Sequence, residues 1–245
     1  MVKDRSESGR IRPLLIAALV VVPLAALGLV YLLFFTDDSP DEFTLSDPPA
    51  TNQTTQTTTA GAGSTSLDGT WSVADGSEAG YRVREKLAAL PAQSDAVGRT
   101  SDVTGSVTIR SSGGQLVADG ITVEVDVSTL ESNEDRRDNR IRTSGLESNQ
   151  FPTATFTSTQ PVTLPAGTEA GQAVTADVTG DLTLHGVTKM VTIPLDVRLT
   201  GGQGEVVGSL KFPFSDFGMS PPNIGGFVTV DPDATLEFKL LLARA

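Results

Sequence analysis

Val191-Thr192-Ile193-Pro194-Leu195-Asp196-Val197-Arg198-Leu199-Thr200 sets an apolar side chain at every second position. Successive side chains of a strand point to opposite faces, so this run has one dry face and one wet face. The pattern recurs on both sides of it. Upstream, Ile121, Val123, Val125 and Val127 interleave with Thr122, Glu124 and Asp126; near the end, Leu236, Phe238, Leu240 and Leu242 interleave with Glu237, Lys239 and Leu241. Weaker versions run from Tyr81 to Val83, Val103 to Ile109, Ala154 to Ser158, Val178 to Leu184 and Leu210 to Phe214. Ser112-Gly113-Gly114, Pro165-Ala166-Gly167, Gly201-Gly202-Gln203-Gly204 and Asp231-Pro232-Asp233 read as the turns between runs. About eight strands joined mostly by short turns predict an all-β domain, one antiparallel sheet curled into a barrel, with a filled two-sheet sandwich as the alternative.

One stretch breaks the alternation. From Thr129 to Arg142, Glu131, Glu134 and Asp135 lead while Arg136, Arg137, Arg140 and Arg142 trail, the order a helix macrodipole favours. Ser132 with Asp135 three residues on resembles a capping box, and Asp138 and Arg142 stand one helical turn apart. A short exposed helix is expected here, laying Ile141 and Leu146 over one end of the barrel.

Leu14 to Phe35 is an uncharged run of 22 residues, long enough at about 1.5 Å per residue to cross a hydrocarbon core of roughly 30 Å. Lys3, Arg5, Arg10 and Arg12 precede it, and Asp37, Asp38, Asp41 and Glu42 follow it. The positive-inside bias then leaves the N-terminus in the cytoplasm and everything after Phe35 outside. A cleaved signal peptide is the competing reading, but its mature chain would begin near the apolar stretch from Leu29 to Phe35. Residues 36–66, rich in Thr, Pro, Gly and Ser, are read as a disordered linker with a reach of roughly 30 Å as a flexible coil. The expected organisation is a cytoplasmic stretch at 1–13, a transmembrane signal anchor at 14–35, the linker at 36–66 and the β-barrel domain at 67–245.

Composition removes several classes of function. With 18 Lys and Arg against 30 Asp and Glu, the net charge of -12 repels a phosphate backbone, so nucleic acid is not the expected partner. The absence of cysteine excludes disulfides, a thiol nucleophile and a thiolate metal site. His185 is the single histidine. It precedes Gly186 at the end of an alternating run and reads as a structural group closing a hairpin through a backbone or carboxylate partner. Glu124 and Asp126 share the polar face of one strand, which makes them surface charges rather than an acid and base pair. No base oriented by a third group stands beside a nucleophile, so no catalytic residue is assigned and no metal site is expected.

Several of these motifs, in chain order, resemble the YceI-like family. They are Asp102-Val103-Thr104-Gly105-Ser106-Val107-Thr108-Ile109, the stretch from Ser132 to Arg142 followed by Phe151-Pro152-Thr153-Ala154-Thr155-Phe156, and the run from Phe212 to Gly218. The most specific is Thr179-Gly180-Asp181-Leu182-Thr183-Leu184-His185-Gly186-Val187-Thr188-Lys189. The resemblance implies a lipocalin-like antiparallel barrel in the bacterial cell envelope, holding a polyisoprenoid, an isoprenoid quinone or a similar amphiphile, without established catalytic residues or a required cofactor. Family members often carry histidines where this chain has Glu85, Glu134 and Arg140.

Strand parity nominates Tyr81, Val83, Val107, Ile109, Val123, Val125, Phe156, Leu182, Leu184, Ile193, Leu195, Phe212, Phe214 and Phe238 as inward-facing candidates to line a lipid site. The same residues would serve equally as a plain core. Arg140 and Arg142 are candidates for a charged lipid headgroup, against the simpler reading that they pair with neighbouring acids. Three functions follow from the residues: a membrane-tethered lipid carrier, which is favoured, a filled scaffold for other envelope proteins, and an envelope enzyme.

Overall fold

The alternating runs become the staves of a closed wall. The computed structural model describes residues 39–47, 66–87, 93–168, 171–200, 202–224 and 228–245. In chain order its strands are β1 Gly69–Val73, β2 Glu78–Leu87, β3 Gln93–Thr100, β4 Val103–Ser112, β5 Gln115–Asp126 and β6 Glu131–Ser132. The helix α1, Asp135–Thr143, comes next. It is followed by β7 Thr153–Ser158, β8 Val162–Leu164, β9 Val174–Leu184, β10 Val187–Thr200, β11 Gln203–Pro213, β12 Asn223–Ile224 and β13 Val228–Arg244. The order β1-β4-β5-β7-β9-β10-β11-β13 returns to β1, since Trp71 pairs with both Val107 of β4 and Arg244 of β13. Eight antiparallel strands therefore close a barrel, and closure leaves the ring no free edge. β2 continues from β1 along β13, and β3 and β6 extend the wall from there.

Local chemistry sets the register. Leu184 pairs with Val187, so His185 and Gly186 form a two-residue hairpin turn with φ of 52° and 73°. Such a turn needs left-handed backbone at both positions, which suits Gly186 and removes His185 from the strand's face alternation. Pro194, which has no N–H to give, pairs with Asp177 of β9 one residue before β11 joins at Leu195 on the other edge.

Four local expectations change. Asp231-Pro232-Asp233 is not a turn but lies inside the 17-residue strand β13. Pairing passes from Val230↔Glu85 to Ala234↔Val83, so three residues of β13 bulge opposite Arg84, where Pro232 has no ladder bond to make. The capping box does not form: Glu134 is the N-cap of α1 and makes no side-chain cap bond. Asp138 does not pair with Arg142; it is buried and accepts from the Ser132 N–H at 3.1 Å and hydroxyl at 2.6 Å, tying α1 to β6. Within the expected linker, Ser39–Asp47 lies against the barrel wall through hydrogen bonds from Arg82, Arg198 and Lys239. Main-chain carbonyls make those bonds, so a polar composition does not oppose them. The span expected at 14–35 lies outside the described residues, as does 48–65; among the described residues no helix is long and apolar enough to cross a membrane.

Candidate functional site

All fourteen inward candidates meet in one apolar cluster. Val107, Ile109, Phe156, Leu182, Leu184, Ile193 and Phe212 are buried, and Tyr81, Val83, Val123, Val125, Leu195, Phe214 and Phe238 are half-buried against them. The sequence set omits Trp71, Val178, Leu199 and Phe217, which are buried in the same cluster. Val178 and Leu199 continue alternations already visible. Trp71 sits in a strand too short for alternation to register, and Phe217 lies in the 3-10 turn Phe214–Phe217, where a period of two has no meaning.

The aromatic rings are placed by the glycines beside them. Gly98 pairs with Tyr81, and a Cβ on it would stand 2.4 Å from the Tyr81 ring. At Gly208, which pairs with Phe238, a Cβ would meet that ring at 2.5 Å; at Gly180 it would meet the Phe156 ring at 2.5 Å. Three rings thus lie over gaps in neighbouring strands, along the wall. A ring in such a gap covers the bare backbone of the neighbouring strand.

Polar groups gather near α1. The Tyr81 hydroxyl is buried with no hydrogen-bond partner among the described residues. Burial pushes its phenol above the ordinary range, with the Arg137 charge opposing and those of Asp138 and Glu85 reinforcing the rise. Arg137 reaches Glu85 at 3.4 Å and Asn133 at 2.8 Å. Of the two headgroup candidates, Arg140 is exposed and Arg142 donates to Asn139 at 3.4 Å. The arginine whose charge acts on the buried phenol is Arg137, which was not among the headgroup candidates.

His185 is the structural group expected. Its Nδ1 bonds the Phe217 carbonyl at 3.0 Å and its Nε2 bonds the Glu147 carboxylate at 2.8 Å, while the Phe151 ring meets it edge-on at 4.6 Å. Both partners are acceptors, so either ring nitrogen that carries the proton has one to donate to. These contacts join the β9–β10 turn to the segment after α1 and the turn after β11. Glu124 and Asp126 are exposed, as strand parity requires. Among the described residues, no group of three or more His, Asp or Glu side chains is placed to hold a metal.

The closed antiparallel wall, the helix beside it and the apolar interior define a lipocalin-like barrel. Residues 71–242 match the YceI-like domain, and the chain belongs to that family. A UPF0312 protein of Vibrio vulnificus (strain YJ016) is 35% identical over 129 residues, covering 50% of this chain and 64% of the relative. A UPF0312 protein of Pseudomonas putida (strain W619) is 36% identical over 127 residues, covering 49% of this chain and 62% of the relative. The chain thus spans less than two thirds of the length of these relatives. A polyisoprenoid binding domain from Saccharophagus degradans, implicated in plant cell wall breakdown, aligns with a TM-score of 0.53 at 19% identity, covering 71% of this chain and 98% of that domain. That likeness shows the fold.

Proposed function

We propose that this barrel is a non-catalytic carrier that holds one long apolar chain, a polyisoprenoid or comparable amphiphile, along its interior. The observation behind it is the set of three rings seated over wall glycines, laid along the wall of an apolar interior. The similarity to a polyisoprenoid binding domain supports the same ligand class. Each methylene taken from water contributes about 0.8 kcal/mol, so ten contribute on the order of 8 kcal/mol before ordering costs, with no charged partner needed. The unpartnered Tyr81 hydroxyl offers a hydrogen bond to a carbonyl or hydroxyl on that chain. Arg140 and Arg142, with Arg137, are the groups to meet an anionic headgroup in this scheme. The apolar run at 14–35 would anchor the carrier in the cytoplasmic membrane with its barrel on the extracytoplasmic side, in reach of the lipid it exchanges.

Gly208→Leu tests the interior directly. The new side chain meets Phe238 at 2.5 Å and Leu195 at 2.8 Å, so the ring must swing toward the axis. A ring displacing two methylenes of ligand removes about 1.6 kcal/mol, more than tenfold in affinity. Titration of the full chain with a long-chain isoprenoid quinone should show that loss, while Met190→Gln on the exposed outer face leaves binding unchanged. Equal affinity in a folded Gly208→Leu variant would reject the interior as the site.

A further inference from the structure

On the outside of the wall, three residues are buried that face parity turns toward solvent. Glu237 lies between Leu236 and Phe238, both packed in the interior cluster, yet it is only 2% exposed. Val207 lies between Val206 and Gly208 and is 7% exposed; Val97 pairs with outward Arg82 and is 4% exposed. An outward residue of a barrel loses its contact with water only if something outside covers it.

Ser39–Asp47 is that cover. The Ser39 hydroxyl donates to the Asp95 carbonyl, and the Pro40 carbonyl accepts from Arg82 at 2.7 Å. The Asp41 carbonyl accepts from Arg99, whose guanidinium stands 3.8 Å above the Phe43 ring. Lys239 donates to the Thr44 carbonyl at 3.3 Å, and Arg198 donates to the Ser46 carbonyl at 2.6 Å. The Ser46 N–H and hydroxyl donate to Glu205 at 2.9 and 2.8 Å. Glu42 and Phe43 close a groove of about 270 Å³ over Val207 and Glu237. Burial alone would raise the Glu205 carboxyl, but Lys239 and the two Ser46 donors outweigh it and hold the group below the usual carboxylate range.

We propose that this outer face is a docking site for an acidic segment built around one phenylalanine, that its occupant is the chain's own Ser39–Asp47, and that docking is a reversible latch on the tether. Recognition is by cations on main-chain carbonyls, one carboxylate on Ser46, and a cation–π seat for Phe43. Exposed contacts of this kind are individually worth about 1 kcal/mol or less, which makes the segment releasable. Covalent linkage through residues 48–65 supplies an effective concentration on the order of millimolar, which keeps it bound in the resting state. Docked, Ser39–Asp47 is fixed to the barrel wall. Released, it no longer holds the chain there. The latch stands whether or not the interior carries a lipid.

The chain has no cysteine, so two introduced thiols label it cleanly. Full-length protein with Asp47→Cys and Lys211→Cys, both at exposed positions, is spin-labelled in detergent and measured by pulsed dipolar spectroscopy. The expected result is one narrow distance at low salt, replaced by a broad distribution when Phe43→Ser and Arg198→Gln are added. A broad distribution without those changes, or a narrow one with them, overturns the latch. Loss of the narrow distance on dilution with unlabelled chain would place the segment on a second copy and equally overturn it.

Discussion

Replacing Trp71 with Ala should lower the unfolding free energy by about 3–5 kcal/mol. Trp71 is fully buried in the interior cluster. Its indole N–H donates to the Leu67 carbonyl at 3.0 Å, so truncation leaves both a cavity and a buried carbonyl without its donor. The position magnifies the loss. β1 has five residues and is the strand that joins β4 to β13, so the ring closes through the residue that would be removed. Urea unfolding followed by far-ultraviolet circular dichroism measures the change. A loss below about 1 kcal/mol, the level of an ordinary surface substitution, would mean that closure does not depend on this side chain.

Glu237→Ala should cost about 2–4 kcal/mol, somewhat less than the 3–5 kcal/mol of a wholly enclosed pair. The Glu237 carboxylate receives Arg82 at 3.0 Å and Arg99 at 2.7 Å, and the two arginine side chains are 11% and 19% exposed. Burial disfavours the Arg82 charge, but Glu237 and Asp95 more than compensate and hold its proton more tightly than usual. Deleting the carboxylate leaves two crowded cations whose remaining partners are Asp95, at 3.4 Å from Arg82, and the Pro40 and Asp41 carbonyls. Changing Arg82 and Arg99 together with Glu237 should return part of the loss, because the uncompensated charges go with their partner. A triple variant no more stable than Glu237→Ala would show that the carboxylate acts through packing alone.

The long strands were legible because one face of each is wet. In β10, Ile193, Val197 and Leu199 are buried while Asp196 is exposed, the alternation by which the run is recognised. β3 escaped for the opposite reason. Its inward Gly98 has no side chain and its outward Val97 is covered, so Ala96-Val97-Gly98 shows no period of two. Pro232 reads as a turn in sequence because proline ordinarily ends pairing, and only the register across β2 reveals a bulge. The docking of Ser39–Asp47 leaves little compositional trace, since carbonyls common to every residue make many of its contacts.

The interior was partly legible. Parity placed fourteen side chains in one cluster, yet it could not say whether they fill the axis or line it. Nor could it say which glycine faces which ring across a strand pair. Gly208 and Phe238 are 30 positions apart in sequence and become partners only through the β11–β13 register.

A carrier of this kind holds a greasy chain in its interior. Organic extraction of the purified chain, followed by mass spectrometry, puts that to the test. One long-chain isoprenoid lipid per protein molecule is the expected result. Protein that yields none, and that takes up none from micelles of a long-chain isoprenoid quinone, would contradict it.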